Sequence, residues 1–524
     1  MRKGVSLCIS ALFATMLVAA PGHAATFRWA SQGDILTFDP YAQNESFNNT
    51  FNAYVYESLV QYDKKFNVVP QLAVKWEQVT PTQWRFHLRP NVKFHEGEPF
   101  TADDVVFSIH RQLSKRSMTK SYLVGVADAK KVDDLTVDII TDGPAPVLLR
   151  QLTDVRIMSK SWCEKHNVVD VQDYVAKEET YAVSHANGTG PYVLKSREPD
   201  VKTVLEANPH WWGKLEGNVT EIVYTPIKSA ATRTAALLSG EIDFVLDPPP
   251  QDLPKLKSDP NIKVVEGTEN RTVFIGMDQK RDELLYSSVK GKNPFKDLRV
   301  RQALNMAVDI EAIKRTLMRG QSIPTGELIT PESYGYDPTI KRGPFSVAKA
   351  KALLKEAGYP DGFEVTLDCP NDRYINDALI CQALTSMWAK IGLKVKLDAM
   401  PKAQYFAKIN KLDTSLYMLG WAVATFDAQD ALINLVHTRD GKGSGEYNDG
   451  SYSNPKMDEL IDKMKVETDV PKRLALIHEA LRMHAQDVAH IMLHQQIIPW
   501  AMRKNIAVTH SADNRLRKQW VHVN

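Results

Sequence analysis

The chain of 524 residues is poor in three features that often reveal a function. It has only four cysteines, and their spacing matches no metal-binding motif. After residue 20 no stretch approaches the roughly 18 uncharged apolar residues that a membrane-spanning helix needs. Lysine and arginine total 65 and aspartate and glutamate total 63, so no net charge favours nucleic acid or an anionic membrane. We therefore expect no nucleic-acid partner and no membrane anchor.

Motifs for catalysis and cofactor binding are also missing. No Gly-x-Ser-x-Gly or His-Glu-x-x-His motif occurs, and no glycine-rich loop is followed by Lys-Ser or Lys-Thr. The histidines at 87, 95 and 110, and those at 484, 490 and 494, lack the spacing of a metal-ligand set. The sequence therefore predicts no cofactor, no metal and no enzymatic activity. A secreted hydrolase is kept as a remote alternative.

The amino terminus predicts a secretory signal peptide. The basic residues Arg2 and Lys3 precede an apolar run, and small residues follow it. We expect cleavage near Ala24 or Ala25 and assign residues 1–25 to the signal. Its removal takes away two basic residues and no acidic one, which leaves 63 of each sign. The mature protein is therefore expected to be nearly uncharged and to reside in the periplasm.

The cysteines fit an exported protein. Cys8 lies before most of the apolar run, where a lipid-modified cysteine that follows the cleavage site could not be. The mature chain keeps Cys163, Cys369 and Cys381, in a compartment where disulfides persist. Cys369 and Cys381 could form a disulfide, and the alternative that both stay reduced remains open.

Length and periodicity indicate more than one α/β unit. A chain this long exceeds a single hydrophobic core. Strands at 222–224 and 242–246 flank a helix at 230–238 that stops at Gly240, which predicts a β-α-β unit in the first part of the chain. Further on, strands at 364–367 and 394–397 flank a helix from 377 to 391, so the second part is also α/β.

The chain is predicted to pass twice between these two units. A strand at 272–277 leaves the first unit, and the strand at 491–498 continues into a segment that leaves the second. Only about sixteen residues follow position 508, so the tail should pack back on the first unit. Two crossings imply a hinge.

The segment at 415–430 is the strongest candidate for a binding-site edge. An apolar run at 416–419 predicts a buried strand, and Gly420, Trp421, Asp427 and Asp430 follow it. In open α/β sheets ligands lie outside the carboxyl ends of the strands, so an indole beside acceptors is typical of a pocket wall. The alternative is a core tryptophan with aspartates that cap a turn.

Several distinctive blocks of sequence lie in order along nearly the whole mature chain. The longest block reads FHLRPNVKFHEG, and FTADDV follows it closely. The blocks lie at 69–73, 76–77, 86–97, 100–105, 188–192, 208–213, 238–243, 300–304 and 357–360. Together they resemble the extracellular solute-binding proteins of family 5, which are the periplasmic dipeptide-, oligopeptide- and nickel-binding proteins of ABC importers.

The resemblance implies an α/β fold with two lobes that close on a ligand as a type II-like clamp. Lobe I would contain residues 26–270 and 497–524, with an extra subdomain inserted at about 52–185. Lobe II would contain residues 271–496. It further implies a monomer that captures a small molecule or peptide and delivers it to an inner-membrane ABC permease with a separate ATPase.

The resemblance also implies which residues contact the ligand. Trp421 should line the cleft, and Arg373 occupies the region that can hold a peptide carboxylate, because a guanidinium fork matches a carboxylate. For Arg373 the alternative is a surface arginine in a turn. The predicted substrate-binding residues are Trp421, Asp427, Arg373, Gly420, Gln32 and Gly33.

One departure from the family pattern leaves the ligand open. Peptide binders of this group usually have an aspartate three residues after the tryptophan, where it pairs with the ligand's amino terminus, and this chain has Ala424. Asp427 matches a second acidic position of the motif, and it could face the ligand or cap the loop. Burial of an unpaired ammonium costs several kcal/mol. We expect a peptide ligand. Opine, glutathione-like, glycoside or metal-chelate solutes are alternatives. A chaperone or haem-scavenging role is compatible with the same clamp.

Overall fold

The computed structural model describes residues 25–524. The predicted signal peptide therefore lies outside the described residues, except for Ala25, which begins the first strand. No helix in the described part of the chain is both long enough and apolar enough to cross a membrane.

A large mixed sheet connects two halves of the molecule. Within residues 25–524 it has eleven strands, and ten of them follow the order β15-β14-β16-β12-β17-β11-β1-β10-β9-β8, while β13 pairs with β17. The strands are β1 (Ala25–Ser31), β8 (Tyr192–Glu198), β9 (Lys202–Ala207), β10 (Val219–Pro226), β11 (Phe244–Leu246), β12 (Ile262–Met277), β13 (Ser322–Pro324), β14 (Glu364–Pro370), β15 (Lys394–Met400), β16 (Leu416–Ala422) and β17 (Ile491–Arg503).

The lobe I half of this sheet contains the predicted β-α-β unit. Strands β10 and β11 both run parallel to β1, which lies between them. The connecting helix ends at Gly240, whose φ of 83° is in the left-handed region that glycine adopts without strain. The helices assigned to lobe I are α1 (Ser46–Val55), α4 (Lys160–Lys165), α5 (Ala230–Ser239) and α6 (Leu253–Ser258).

Helix α1 begins at Ser46 and ends at Val55. Its start is fixed by Glu45, whose carboxylate accepts the backbone N–H groups of Phe47 and Asn48. Phe51 of this helix stacks on Trp29 in the lobe I core. The helix thus belongs to lobe I rather than to the inserted subdomain.

A separate four-stranded sheet forms the inserted subdomain. Its strand order is β4-β5-β7-β6, and its own apolar core extends from Leu59 to Ile157. Helix α2 begins with a capping box between Thr101 and Asp104. The elements are β2 (Val60–Tyr62), β3 (Val68–Pro70), β4 (Ala73–Thr80), β5 (Gln83–Leu88), β6 (Val126–Asp133), β7 (Thr136–Thr141), α2 (Ala102–Leu113) and α3 (Leu148–Gln151).

In lobe II both faces of the sheet are buried, each against its own core. Successive side chains of a strand point to opposite faces, so neighbouring residues belong to different cores. Ile275 and Met418 belong to one core, whereas Phe274 and Tyr417 belong to the other. The helices assigned to lobe II are α7 (Leu298–Met306), α8 (Ile310–Thr316), α9 (Val347–Glu356), α10 (Asp377–Ala389), α11 (Lys402–Ile409), α12 (Ala428–Ala431), α13 (Pro455–Val466) and α14 (Val470–Gln486). After Arg503, two short strands, β18 (Ile506–Ala507) and β19 (His522–Val523), pair with each other.

The two lobes are joined by β12 and β17, which pair antiparallel over most of their length. Both strands are longer than the sequence predicts, because each contributes to the cores of both lobes. Their register shifts between Thr268 and Thr272, and Thr268 lies opposite Ile497. This irregularity lies near residues 270 and 497, and both the lobe boundaries and a hinge there remain our predictions.

Cys369 and Cys381 form a disulfide. It links the end of β14 to the middle of α10 and encloses the loop that contains Arg373. Cys163 is a buried free thiol in lobe I.

We expect simultaneous replacement of Cys369 and Cys381 with alanine to lower the free energy of unfolding. The cysteines are 12 residues apart, and the loss of a cross-link around a loop of that size costs about 3 kcal/mol in the chain-entropy description. Urea denaturation under non-reducing conditions measures the change. Cys163→Ala is the matched control, because it removes a buried thiol and no cross-link. A double variant as stable as the wild type would show that the cross-link adds nothing.

Candidate functional site

A cleft between the lobes contains the predicted tryptophan. It has about 870 Å³ of space outside the atoms, including its mouth. Its wall combines the segment before α1 and the carboxyl-terminal segment from lobe I with β16 and α11 from lobe II. Its lining includes Gln43, Asn44, Glu45, Tyr122, Arg271, Arg373, Tyr374, Gly420, Trp421, Ala424, Tyr447, Asp449, Asp513 and Arg515.

Gly420 and Trp421 are part of β16, not of the loop beyond it as the sequence analysis expected. The strand continues to Ala422 because its pairing with β12 extends to that residue. Trp421 is only 8% exposed, its ring lies 5.1 Å from that of Tyr447, and its Nε1 donates to Asp430 at 3.1 Å. The indole therefore lines the cleft in a fixed orientation.

Gly420 has a steric role as well as a position in the wall. A Cβ at this residue would lie 2.8 Å from Cε1 of Tyr374, so a larger residue would displace that ring. The backbone N–H of Gly420 donates to the Tyr374 hydroxyl at 2.8 Å. The strand and the loop after β14 are thereby held in direct contact.

Arg373 lies in the cleft, in the loop between β14 and α10. Its backbone N–H donates to the Asp377 carboxylate at 2.9 Å, which fixes the loop. Its Nε is 2.8 Å from Oε1 of Glu45, yet the N–H is not aligned with that oxygen. Within residues 25–524 the guanidinium makes no aligned hydrogen bond, so its donors can serve a ligand.

The other arginines of the cleft are already committed. Arg271 donates to Glu269, to the Gly420 carbonyl and to the Ser46 hydroxyl. Arg515 donates both terminal nitrogens to Asp154. Arg373 is therefore the arginine of the cleft with donors to spare.

Glu45 of lobe I connects the lobes through two cations of lobe II. Its second carboxylate oxygen lies 3.3 Å from Nζ of Lys402, and all three side chains are largely buried. Burial opposes the charge of Glu45, but Arg373, Lys402 and two backbone N–H groups lower its pKa to about 2. Two cations of lobe II thus face one anion of lobe I, and the carboxyl groups of Asp247 and Asp372 line the same small cavity.

Gln32 and Gly33 lie behind this ion cluster, in a smaller cavity beside the cleft. Gln32 Nε2 donates to the Tyr374 carbonyl at 3.3 Å. A Cβ at Gly33 would lie 3.0 Å from Cε of Lys402. The structure thus places both residues where they support Lys402 and the loop of Arg373, and not in the wall that contains Trp421.

Asp427 lies outside the cleft wall. Its carboxylate receives two hydrogen bonds of 2.8 Å from Arg473 and one of 3.0 Å from the backbone N–H of Gln429. Both oxygens of the Asp427 carboxylate therefore accept hydrogen bonds from within the protein. Of the two alternatives in the sequence analysis, the observed geometry is that of a cap.

Contacts between the lobes show that the cleft is closed. The rings of Phe66 and Phe426 lie 4.2 Å apart, and Arg150 donates to the Thr425 carbonyl at 3.3 Å. The hydroxyl of Tyr447 donates to the carbonyl of Met118. A ligand in this cleft would touch both lobes.

The histidines do not form a metal centre in the described part of the chain. His484 Nε2 and His490 Nδ1 lie 2.9 Å apart within a buried pair. Burial lowers the pKa of His484 to about 4. No group of three possible metal ligands occurs among residues 25–524.

Sequence reasoning missed Glu45 and Asp449, two charged residues of the cleft. The position of each residue in the cleft depends on partners that are distant in sequence, or on a loop whose sequence has no periodicity. The only local signal for Glu45 is its position directly before a helix, where a carboxylate can cap the first turn.

Comparison with known proteins is consistent with this geometry. The chain is 27% identical over 529 residues to the dipeptide-binding protein of Escherichia coli (strain K12), with 95% of this chain and 94% of the relative covered. The structure of DppA from Helicobacter pylori in complex with peptide STSA matches with a TM-score of 0.85 and 23% identity, over 95% of this chain and 98% of that chain. AgaA from A. tumefacien R10 in complex with agropinic acid matches with a TM-score of 0.84 and 23% identity, over 95% and 99%.

The family model for bacterial extracellular solute-binding proteins, family 5 Middle, matches residues 67–443, which is more than half of the chain. The protein belongs to this family. The structural matches confirm the predicted α/β fold of two lobes.

We expect Glu45→Gln to destabilise the protein at pH 7 by about 3 kcal/mol, since two buried cations lose their counter-ion. Because the pKa of Glu45 is depressed in the fold, its ionised form stabilises the protein above the unfolded-state value of about 4.3, and that contribution is lost as pH falls toward about 2. The stability advantage of the wild type should therefore shrink by about 1.4 kcal/mol per pH unit in this window.

Chemical denaturation of both proteins at several pH values between 5 and 2.5 measures this difference. Glu311→Gln, which changes an exposed glutamate, is the matched control and should show no such pH dependence. A wild-type advantage that stays constant across the window would contradict the assigned role of Glu45.

Proposed function

We propose that this protein is the periplasmic binding component of an ABC importer that captures a small peptide or peptide-like solute. The solute lies between the lobes and is delivered to an inner-membrane permease driven by a separate ATPase. The protein acts as a monomer and does not alter its solute. Membership of a solute-binding family and likeness to a dipeptide-binding relative support this role.

The observation that carries the proposal is the set of uncommitted donors on Arg373 beside Trp421. A guanidinium fork binds a carboxylate with two parallel hydrogen bonds. The rings of Trp421, Tyr447 and Tyr122 provide apolar wall around it. This arrangement suits a carboxylated solute of modest size.

Ligand binding would stabilise the closed state because the cleft wall comes from both lobes. A solute that contacts Gln43 and Asn44 of lobe I together with Arg373 and Trp421 of lobe II has contacts in the closed state that it loses in an open one. Only such differential contacts can shift the equilibrium between two conformations. A permease that recognises the closed form then receives loaded protein.

A second candidate is a non-peptide carboxylated solute of the opine type. The specific observation is Ala424, which provides no carboxylate at the position where peptide binders of the family usually have one. The solved relative AgaA in complex with agropinic acid has the same fold. This candidate keeps the carboxylate at Arg373 and changes the rest of the solute.

The class of solute can be tested by thermal unfolding with panels of di- and tripeptides, opines and glutathione. A true ligand at a hundredfold excess over its dissociation constant should stabilise the fold by about 2.7 kcal/mol. If the peptides leave the melting temperature unchanged while another class raises it, the peptide proposal is wrong. Mass spectrometry of small molecules that co-purify under non-denaturing conditions provides an independent identification.

We expect Arg373→Gln to weaken binding of a carboxylated ligand at least tenfold, because a buried charge-assisted pair is lost. Isothermal titration with a peptide and with its carboxyl-terminal amide measures the effect. The wild type should prefer the free carboxylate, and the variant should not.

Two further variants separate the role in binding from general damage. Arg373→Lys keeps the charge and should retain part of the preference, whereas Arg299→Gln changes an exposed arginine and should leave binding unchanged. An Arg373→Gln variant that still distinguishes acid from amide would contradict the assignment.

A further inference from the structure

Asp449 is a buried carboxylate in the cleft that is only half satisfied. It lies in the loop before α13, is 2% exposed and lines the cavity. Arg439 Nη2 donates to its Oδ1 at 2.6 Å. Its Oδ2 is buried and has no hydrogen-bond partner among residues 25–524.

The remaining acids of the cleft wall are fully committed. Glu45 accepts two backbone N–H groups and faces Arg373 and Lys402. Asp513 receives hydrogen bonds on both carboxylate oxygens from Arg517. Asp449 is therefore the acid of this wall with an acceptor to spare.

Two aspartates of the segment after Trp421, which lie outside the wall, are committed as well. Asp427 is closed by Arg473. Asp430 accepts from Trp421 Nε1 on one oxygen and from the backbone N–H of Thr425 on the other. Neither can compensate for the carboxylate that is missing at Ala424.

We propose that Asp449 contacts the ligand and accepts a hydrogen bond from a positively charged group of it, a protonated primary or secondary amine. The inference rests on the proposed function in one respect, that the cleft between the lobes is the ligand site. It adds that the solute is cationic at one end and that lobe II holds this end.

The Asp449 carboxylate is buried with too few hydrogen-bond donors around it. Burial raises the pKa of Asp449 to about 6, although the Arg439 guanidinium acts in the opposite direction. A ligand ammonium would supply the missing donor together with the opposite charge, and such charge-assisted bonds are stronger than neutral ones. The same ammonium would otherwise be buried without a partner.

Lobe I offers the complementary groups. Gln43 Oε1 accepts the backbone N–H of Asn44, and within residues 25–524 the buried Nε2 of Gln43 has no hydrogen-bond acceptor. Asn44 Oδ1 accepts from Asn49 and Tyr122, which leaves its Nδ2 in the same condition. Together with Arg373, these donors require ligand oxygens, so the whole cleft fits a zwitterion with carboxylate or carbonyl oxygens and one amine.

The test uses pairs of compounds in which acetylation removes the charge of the amine, and the comparison of wild type with Asp449→Asn separates this charge from the added bulk. One pair is Ala-Ala and N-acetyl-Ala-Ala, and a second, non-peptide pair is 4-aminobutyrate and N-acetyl-4-aminobutyrate. Isothermal titration of the full chain should show at least tenfold tighter binding of the amine in at least one pair. In Asp449→Asn this preference should fall to less than threefold.

Arg439→Gln is the matched control, because it removes the structural partner of Asp449 and keeps the carboxylate. If Asp449 serves the ligand, this variant retains the preference for the amine even where its melting temperature falls. If Asp449 only anchors Arg439, both variants change binding equally, and the proposal is overturned.

The outcomes separate this inference from the proposed peptide ligand. A preference for the amine that depends on Asp449 in the non-peptide pair alone supports the role of Asp449 and contradicts a peptide as the solute. A wild type without any preference for the amine, an Asp449→Asn variant that keeps it, or a wild type that binds neither pair overturns the inference.

Discussion

The interaction on which the site depends is the buried contact of Glu45 with Arg373 and Lys402. Three charges from two lobes are removed from water together, and none of them would be tolerated there alone. The cluster therefore requires the lobes to meet at this point. It also ties the loop of Arg373 in lobe II to the start of α1 in lobe I.

The surrounding structure serves to hold these groups in place. Helix α1 begins where Glu45 accepts its first N–H groups, so the same carboxylate orders lobe I locally and contacts lobe II. The loop of Arg373 is held by the Asp377 carboxylate and by Tyr374, whose hydroxyl reaches Gly420. Burial raises the pKa of Asp377 to about 7 against the opposing effect of those backbone hydrogen bonds.

The fold could be predicted where local patterns determine it, and the site only in part. Strands β14 and β15 and helix α10 follow from apolar periodicity, and Gly240 ends α5 where expected. Strand β16 exceeded its predicted length because pairing with β12 continues beyond the last aliphatic residue. Periodicity reports burial, whereas the length of a strand also depends on its neighbours in the sheet.

Individual site residues were harder to predict because hydrogen-bond partners decide their roles. Asp427 and Asp449 are both buried aspartates near Trp421, yet an arginine satisfies both oxygens of the first and only one oxygen of the second. Gln32 and Gly33 line a smaller cavity that shares Glu45 and Arg373 with the cleft, and their contact with a ligand stays a prediction. No sequence pattern distinguishes these cases, because the partners come from segments far apart along the chain.

The disulfide between Cys369 and Cys381 has a consequence for when the protein can work. It closes the loop of Arg373 covalently. Disulfides persist outside the cytosol, whereas cysteines inside the cytosol are kept reduced. Oxidation outside the cytosol adds a covalent link around this loop, so the oxidised chain has a constraint on Arg373 that the reduced chain lacks.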